Sequence, residues 1–261
     1  MRKISQLIWM AALGLVAAGC SGPLSPQAQQ QLQSGYDYYA AGSDEQVVTT
    51  LEAFLAENAR CSRADEAYYL RGLARQRLGR RDAARKDLQA ALAATDKPEL
   101  RGKTLLALGE MAYEDDDMTL AESLYRRALE DLDDTRPPAD QARYRLGSVL
   151  QRQGRWDEAD SQLDRVVHFF ADTHLGRLAA RRSHSTVWTI QTAAFRQRSR
   201  AQAAAATLRT DGLQAAARGM LHESEPLFVV QVGRFATYEQ AAAALPAAQA
   251  HAADAFIVPT P

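Results

Sequence analysis

The chain has 261 residues, 46% of them hydrophobic and 24% charged, the balance of a folded protein with room for one large or two modest domains. Lysine and arginine together number 31 against 32 acidic residues, so no surplus of positive charge exists to drive nucleic-acid binding through counterion release. The two cysteines, Cys20 and Cys61, and the five histidines do not make up a zinc or iron–sulfur ligand set. No metal and no cofactor is expected.

Met1-Arg2-Lys3 is a basic head, and Ile4 to Ala18 is uncharged and mostly apolar, shorter than the ~20 residues a spanning helix needs. This pattern predicts a signal peptide over residues 1–19. Ala17-Ala18-Gly19-Cys20 resembles the bacterial lipobox, with Ala17 where leucine is commonest. The resemblance implies a diacylglycerol thioether on Cys20 and, after cleavage, several acyl chains such as palmitate. That exceeds the single chain that gives only marginal anchoring. Ser21 stands where aspartate would mark retention in the inner membrane, which implies an outer-membrane lipoprotein facing the periplasm. Cys61 is then left without an intramolecular partner and is expected as a small packed side chain. Residues 20–33, rich in proline, serine and glutamine, read as the lipidated cysteine and a tether.

Residues 34–182 repeat themselves. Gly72, Ala84, Leu88, Ala91 and Leu92 recur with the same spacing as Gly109, Ala121, Tyr125, Ala128 and Leu129, and as Gly147, Ala159, Leu163, Val166 and Val167. A weaker copy runs Gly35, Val47, Leu51, Phe54 and Leu55, and the successive glycines lie 37, 37 and 38 residues apart. Two helices cross closely only where a small residue sits between them, which the glycine and alanine of each copy supply. A second glycine, Gly42, Gly79 or Gly154, is placed to end the first helix of three copies, and Asp116 takes its place in the other. These residues resemble the tetratricopeptide repeat. The resemblance implies an α-solenoid whose groove takes a protein partner, sealed by a capping helix over residues 172–182.

After Ser183 the period changes. Val187-Trp188-Thr189-Ile190-Gln191-Thr192 alternates as a strand does, and forty residues later Phe228-Val229-Val230-Gln231-Val232-Gly233 does the same. Phe195, Ala201 and Ala215 match Phe235, Ala241 and Ala255 at the same offset. Each half reads as strand, alanine-rich helix, strand, over 186–194, 199–210 and 213–219, then 227–233, 237–250 and 254–258, with Asp211-Gly212 and Glu225-Pro226 at the joins. A βαββαβ chain of this kind makes a four-stranded antiparallel sheet with two helices on one face. The fold class is therefore α + α/β, a tetratricopeptide-like solenoid followed by that sandwich.

If Ile190 and Val230 face the helices, Gln191 and Gln231 project to the open face of the two central strands. The doubled pattern, with Phe195 and Phe235 closing it, resembles the SPOR domain over residues 184–259; Ala193 stands where that family usually has glycine. The resemblance implies binding of peptidoglycan, specifically glycan strands stripped of their stem peptides, in proteins recruited to the division septum. The chemistry agrees, because flat amides satisfy paired hydroxyl and acetamido groups while an apolar surface receives the C–H face of a ring. Gln191, Gln231 and Thr189 are the candidate sugar contacts. An arginine at the rim, Arg198 or Arg234, is the candidate partner of the muramic lactyl carboxylate. Trp188 follows the parity of Ile190 and is assigned to the core.

No nucleophile elbow, HExxH motif or paired carboxylates point to catalysis, and His222-Glu223 lacks a second histidine at metal spacing. The chain thus reads as a non-enzymatic envelope lipoprotein that binds peptidoglycan and recruits a protein through its repeats. The alternative is an assembly or scaffold lipoprotein in which the repeats matter most and wall binding is secondary.

Overall fold

The computed structural model describes residues 24–222 and 225–261. The predicted signal peptide and Cys20 lie outside the described residues. The protein forms two compact units that divide between Ala94 and Thr95.

The described residues of the first unit form helices α1 (Pro26–Ala40), α2 (Asp44–Asn58), α3 (Ala64–Arg77) and α4 (Arg81–Ala94). Residues Pro26 to Gln33, whose composition suggested a tether, are helical instead. Ser25 accepts a hydrogen bond from the Ala28 N–H, Pro26 occupies the first turn, and Ala28 and Leu32 are buried. A cap and two apolar anchors outweigh the surrounding glutamines. Leu32, Val47, Leu51, Phe54 and Leu70 form the core, and Cys61 is a free, buried thiol packed with them. Asp87 on α4 is buried between the guanidinium groups of Arg71 and Arg75 on α3, so its charge is matched within the hairpin.

The second unit begins with helices α5 (Pro98–Glu114), α6 (Met118–Asp131), α7 (Ala139–Arg152), α8 (Trp156–Phe170) and α9 (His174–Arg182). In both units the repeating glycine sits under a large side chain sixteen residues on. A Cβ on Gly35 would lie 2.7 Å from Leu51, on Gly109 2.6 Å from Tyr125, and on Gly147 2.9 Å from Leu163. The glycine thus receives the partner helix's Leu or Tyr, while Ala84, Ala121 and Ala159 are fully buried nearby. At the helix ends Gly42, Gly79 and Gly154 have φ of 72°, 73° and 75°, and Asp116 has φ of 62° in the equivalent place. Aspartate is one of the few side chains that tolerates the left-handed region.

The rest of the second unit is β1 (Val187–Phe195), α10 (Arg198–Thr210), β2 (Ala215–His222), β3 (Glu225–Phe235), α11 (Tyr238–Gln249) and β4 (Phe256–Thr260). The sheet is antiparallel with order β2-β3-β1-β4. Glu225 and Pro226, placed at a join by the sequence, are the first residues of β3 and pair with His222 and Leu221. Pro226 is tolerated there because it lies next to the strand's start, beyond Phe228, the last β3 residue paired with β1. Ile190, Val230 and Val232 share a core with Ala201, Ala205 and Leu208 of α10 and Ala248 of α11, which puts both helices on one face.

Candidate functional site

Successive strand residues point to opposite faces, so the core position of Ile190, Val230 and Val232 turns Gln191 and Gln231 to the face away from α10 and α11. The two glutamines are direct cross-strand partners on the central strands. The forty-residue offset in sequence has become a juxtaposition in space.

Two register shifts in the β1·β3 pairing, between Trp188 and Ile190 and between Gln191 and Ala193, flank the pair. The second makes Thr192 the extra residue, its hydroxyl donating to the Val230 carbonyl at 3.3 Å. Strict alternation placed Thr192 with Ile190; the bulge instead turns Ala193 and Phe195 toward the helix-side core. A bulge shifts the parity of everything beyond it, and single-strand periodicity cannot reveal one.

Beside the amides lies a cavity of about 310 Å³ lined by Thr189, Gln214, Ala216, Arg218, Gln231 and Arg234, among others. Gln231 is 7% exposed and Thr189 1%, so both are more deeply set than a bare sheet surface suggests. Gln231 Nε2 donates to Thr260 Oγ1 at 3.3 Å, which carries its side chain from β3 across β1 toward β4. Gln231 Oε1 and Thr189 Oγ1 are buried without a hydrogen-bond partner, a costly state for polar atoms unless something else satisfies them. Gln191 is half-buried. The group of the pair that reaches the surface is the Gln191 amide, a donor and an acceptor in one side chain, which suits a ligand rich in hydroxyl and amide groups.

The arginines separate. Arg234 lines the cavity and its guanidinium reaches the Pro261 carbonyl oxygen at 3.4 Å. Arg198 begins α10, on the helix-covered side, and is exposed; the structure does not bring it to the cavity. Sequence reasoning missed Arg218 and Gln214, which β2 and the turn before it supply, and Phe256 on β4. Phe256 is 51% exposed and is the direct partner of Gln191. The only signal for them was position within the second strand of each half, the part with the weakest internal likeness. Trp188 is buried, as its parity required. Among the described residues no group of three or more His, Cys, Asp or Glu side chains could hold a metal ion.

Residues 185–259 match the family model of the SPOR domain. The chain carries a C-terminal SPOR domain. Residues 11–100 match a second model, that of the YfiO outer membrane lipoproteins. No curated protein matches the chain in sequence. Among solved structures, a tetratricopeptide repeat protein from Parabacteroides merdae is similar at a TM-score of 0.50 and 16% identity, over 60% of this chain and 58% of that one. PilF of Pseudomonas aeruginosa is similar at a TM-score of 0.50 and 18% identity, over 59% of this chain and 65% of that one. The chain spans less than two thirds of either structure, and at these identities the likeness shows the fold alone: the helical part of the protein is tetratricopeptide-like. Both modules are of the binding and scaffold kind. The SPOR domain points to peptidoglycan, and the other match to an outer-membrane lipoprotein scaffold. No described helix is long and apolar enough to cross a membrane.

Proposed function

We propose that the protein is a non-enzymatic outer-membrane lipoprotein, facing the periplasm, that grips denuded peptidoglycan glycan at division or remodelling sites and holds a protein partner on its helical repeats. Residues 1–19 are its signal peptide and Cys20 its lipidated residue. The observation that carries the proposal is the juxtaposition of Gln191 and Gln231 on the helix-free side, beside a cavity that Thr189 and Gln231 help to line. Anchoring at the membrane and on the wall raises the effective concentration of whatever the repeats hold.

Full-length protein mixed with purified sacculi tests it. Amidase digestion of the sacculi should increase binding, and a Gln191→Ala, Gln231→Ala double variant should lose it. Binding indifferent to both treatments overturns the assignment. Cys20→Ala should move the protein out of the membrane fraction, and retention there would remove the anchor. The match over residues 11–100 favours a second reading, a scaffold for an envelope machine with wall binding subsidiary. In that case deletion of residues 184–261 would leave the cellular phenotype largely intact.

A further inference from the structure

The register extends the glutamine pair into a complete row across the sheet. Ala216 faces Gln231, Gln231 faces Gln191, and Gln191 faces Phe256. Directly opposed residues share a face, so the row runs from one sheet edge to the other. At the usual spacing between strands it spans roughly 14 Å, longer than one pyranose ring.

The two ends of the row differ. At the β4 end stands Phe256, an aromatic ring 51% exposed, while its neighbour Ile257 packs into the helix-side core. At the β2 end Ala216 leaves space, and Arg218, two residues along on the same face, lines the cavity with Arg234. Arg218 has no acidic partner among the described residues. The acidic residue on that face of β3, Glu225, is at the far end of the strand and pairs with Arg196 at 3.5 Å. Between the ends lie Gln191, half-buried, and the unsatisfied Gln231 Oε1 and Thr189 Oγ1.

We propose that this row is a saccharide site of at least two rings with unlike ends, in which Phe256 is the platform for an uncharged ring and Arg218 pairs with the carboxylate of an acidic one. The proposal rests on the glycan reading above and adds what that reading leaves open, the residues that recognise each kind of sugar. An aromatic face receives the C–H groups of a ring whatever its charge, whereas a guanidinium discriminates by charge and geometry. Gln191, half-buried between the two ends, carries an amide that both donates and accepts, and so suits the acetamido or hydroxyl groups of the ring between them.

Calorimetry on the full-length protein separates the roles, with uncharged N-acetylglucosamine tetramer and amidase-denuded peptidoglycan fragments as the two probes. Wild type should bind the denuded fragments more tightly. Phe256→Ala should weaken both probes by about tenfold, and Phe256→Tyr should restore most of the loss. Arg218→Gln should weaken only the denuded fragments, by about tenfold, so that the two affinities converge. If both probes bind and respond to the glutamine variants but not to Phe256→Ala, or if Arg218→Gln weakens both alike, the row proposal fails and the glycan reading stands. If neither probe binds wild type, the glycan reading itself falls and takes the row with it.

Discussion

Trp156, at the first turn of α8, lies against Trp188, at the start of β1, with ring centroids 5.5 Å apart and planes at 49°. Tyr238 of α11 meets Trp188 edge-on, with ring centroids 5.1 Å apart, and the Arg152 guanidinium lies 4.1 Å from the Tyr238 ring. The last repeat and the SPOR domain thus meet through the tilted Trp156–Trp188 pair, and the residue after Trp188 is Thr189 of the cavity.

Trp156→Ala should therefore loosen the domain from the last repeat. A stability loss of about 2 kcal/mol is expected, less than for a fully buried tryptophan because Trp156 is only half-buried. Limited proteolysis should begin to cut near residues 183–186, while Trp156→Phe should protect them. Unchanged proteolysis and melting in Trp156→Ala would show the ring contact to be incidental.

Gln231→Met should separate function from stability. The buried Oε1 has no partner, so an apolar side chain of similar length removes an unsatisfied acceptor at the cost of one 3.3 Å bond to Thr260. Thermal stability should hold or rise by up to about 1 kcal/mol, while sacculus binding falls. A clear drop in stability would mean that the amide is structural.

Gly109→Ala should destabilise the helical hairpin formed by α5 and α6. The new methyl would lie 2.6 Å from the Tyr125 ring, which is fully buried, and overpacking of this kind costs about 1–3 kcal/mol. The double change Gly109→Ala, Tyr125→Leu should recover part of the loss. Urea unfolding of wild type and the two variants checks this.

Acid should weaken the second unit through two carboxylates. Burial works against their ionisation, yet hydrogen bonds from Arg126 and Arg155 hold Glu122 below its ordinary value, and Arg143 and Arg165 do the same for Asp134. A carboxyl depressed in the folded state contributes stability above its unfolded value and loses it as pH falls through the folded one. The unfolded values are 4.5 for Glu122 and 3.8 for Asp134, so the loss should fall below pH 4.5. Urea midpoints at pH 6 and pH 3 should differ less in a Glu122→Gln, Asp134→Asn double variant than in wild type. An equal difference would discount both groups.

Much of this was legible because duplication leaves a signature in sequence. Gly72, Gly109 and Gly147 mark the hairpins, and the left-handed Asp116 was readable as the substitute for a glycine. The partnership of Gln191 and Gln231 followed from an equal offset and a period of two. The bulge at Thr192 was not legible, since the extra residue is defined only against the partner strand. Nor was the depth of Gln231, which depends on its reach to Thr260, 29 residues away. Arg218 and Phe256 lay on the outer strands, where the two halves share least, so no internal repeat drew attention to them. The helix over Pro26–Gln33 depends on burial of Leu32 against its neighbours, which local composition does not report.

The central amides come from equivalent places in two copies of one motif, and antiparallel pairing sets them face to face. A polymer laid over them and the same polymer reversed would meet one amide from each copy at the middle, but at unequal depth, since Gln231 is tied down to Thr260 and Gln191 is half-buried. A sense of direction along such a polymer would then come from that difference in depth and from the unequal edges, where an aromatic ring stands on one side and a cation on the other.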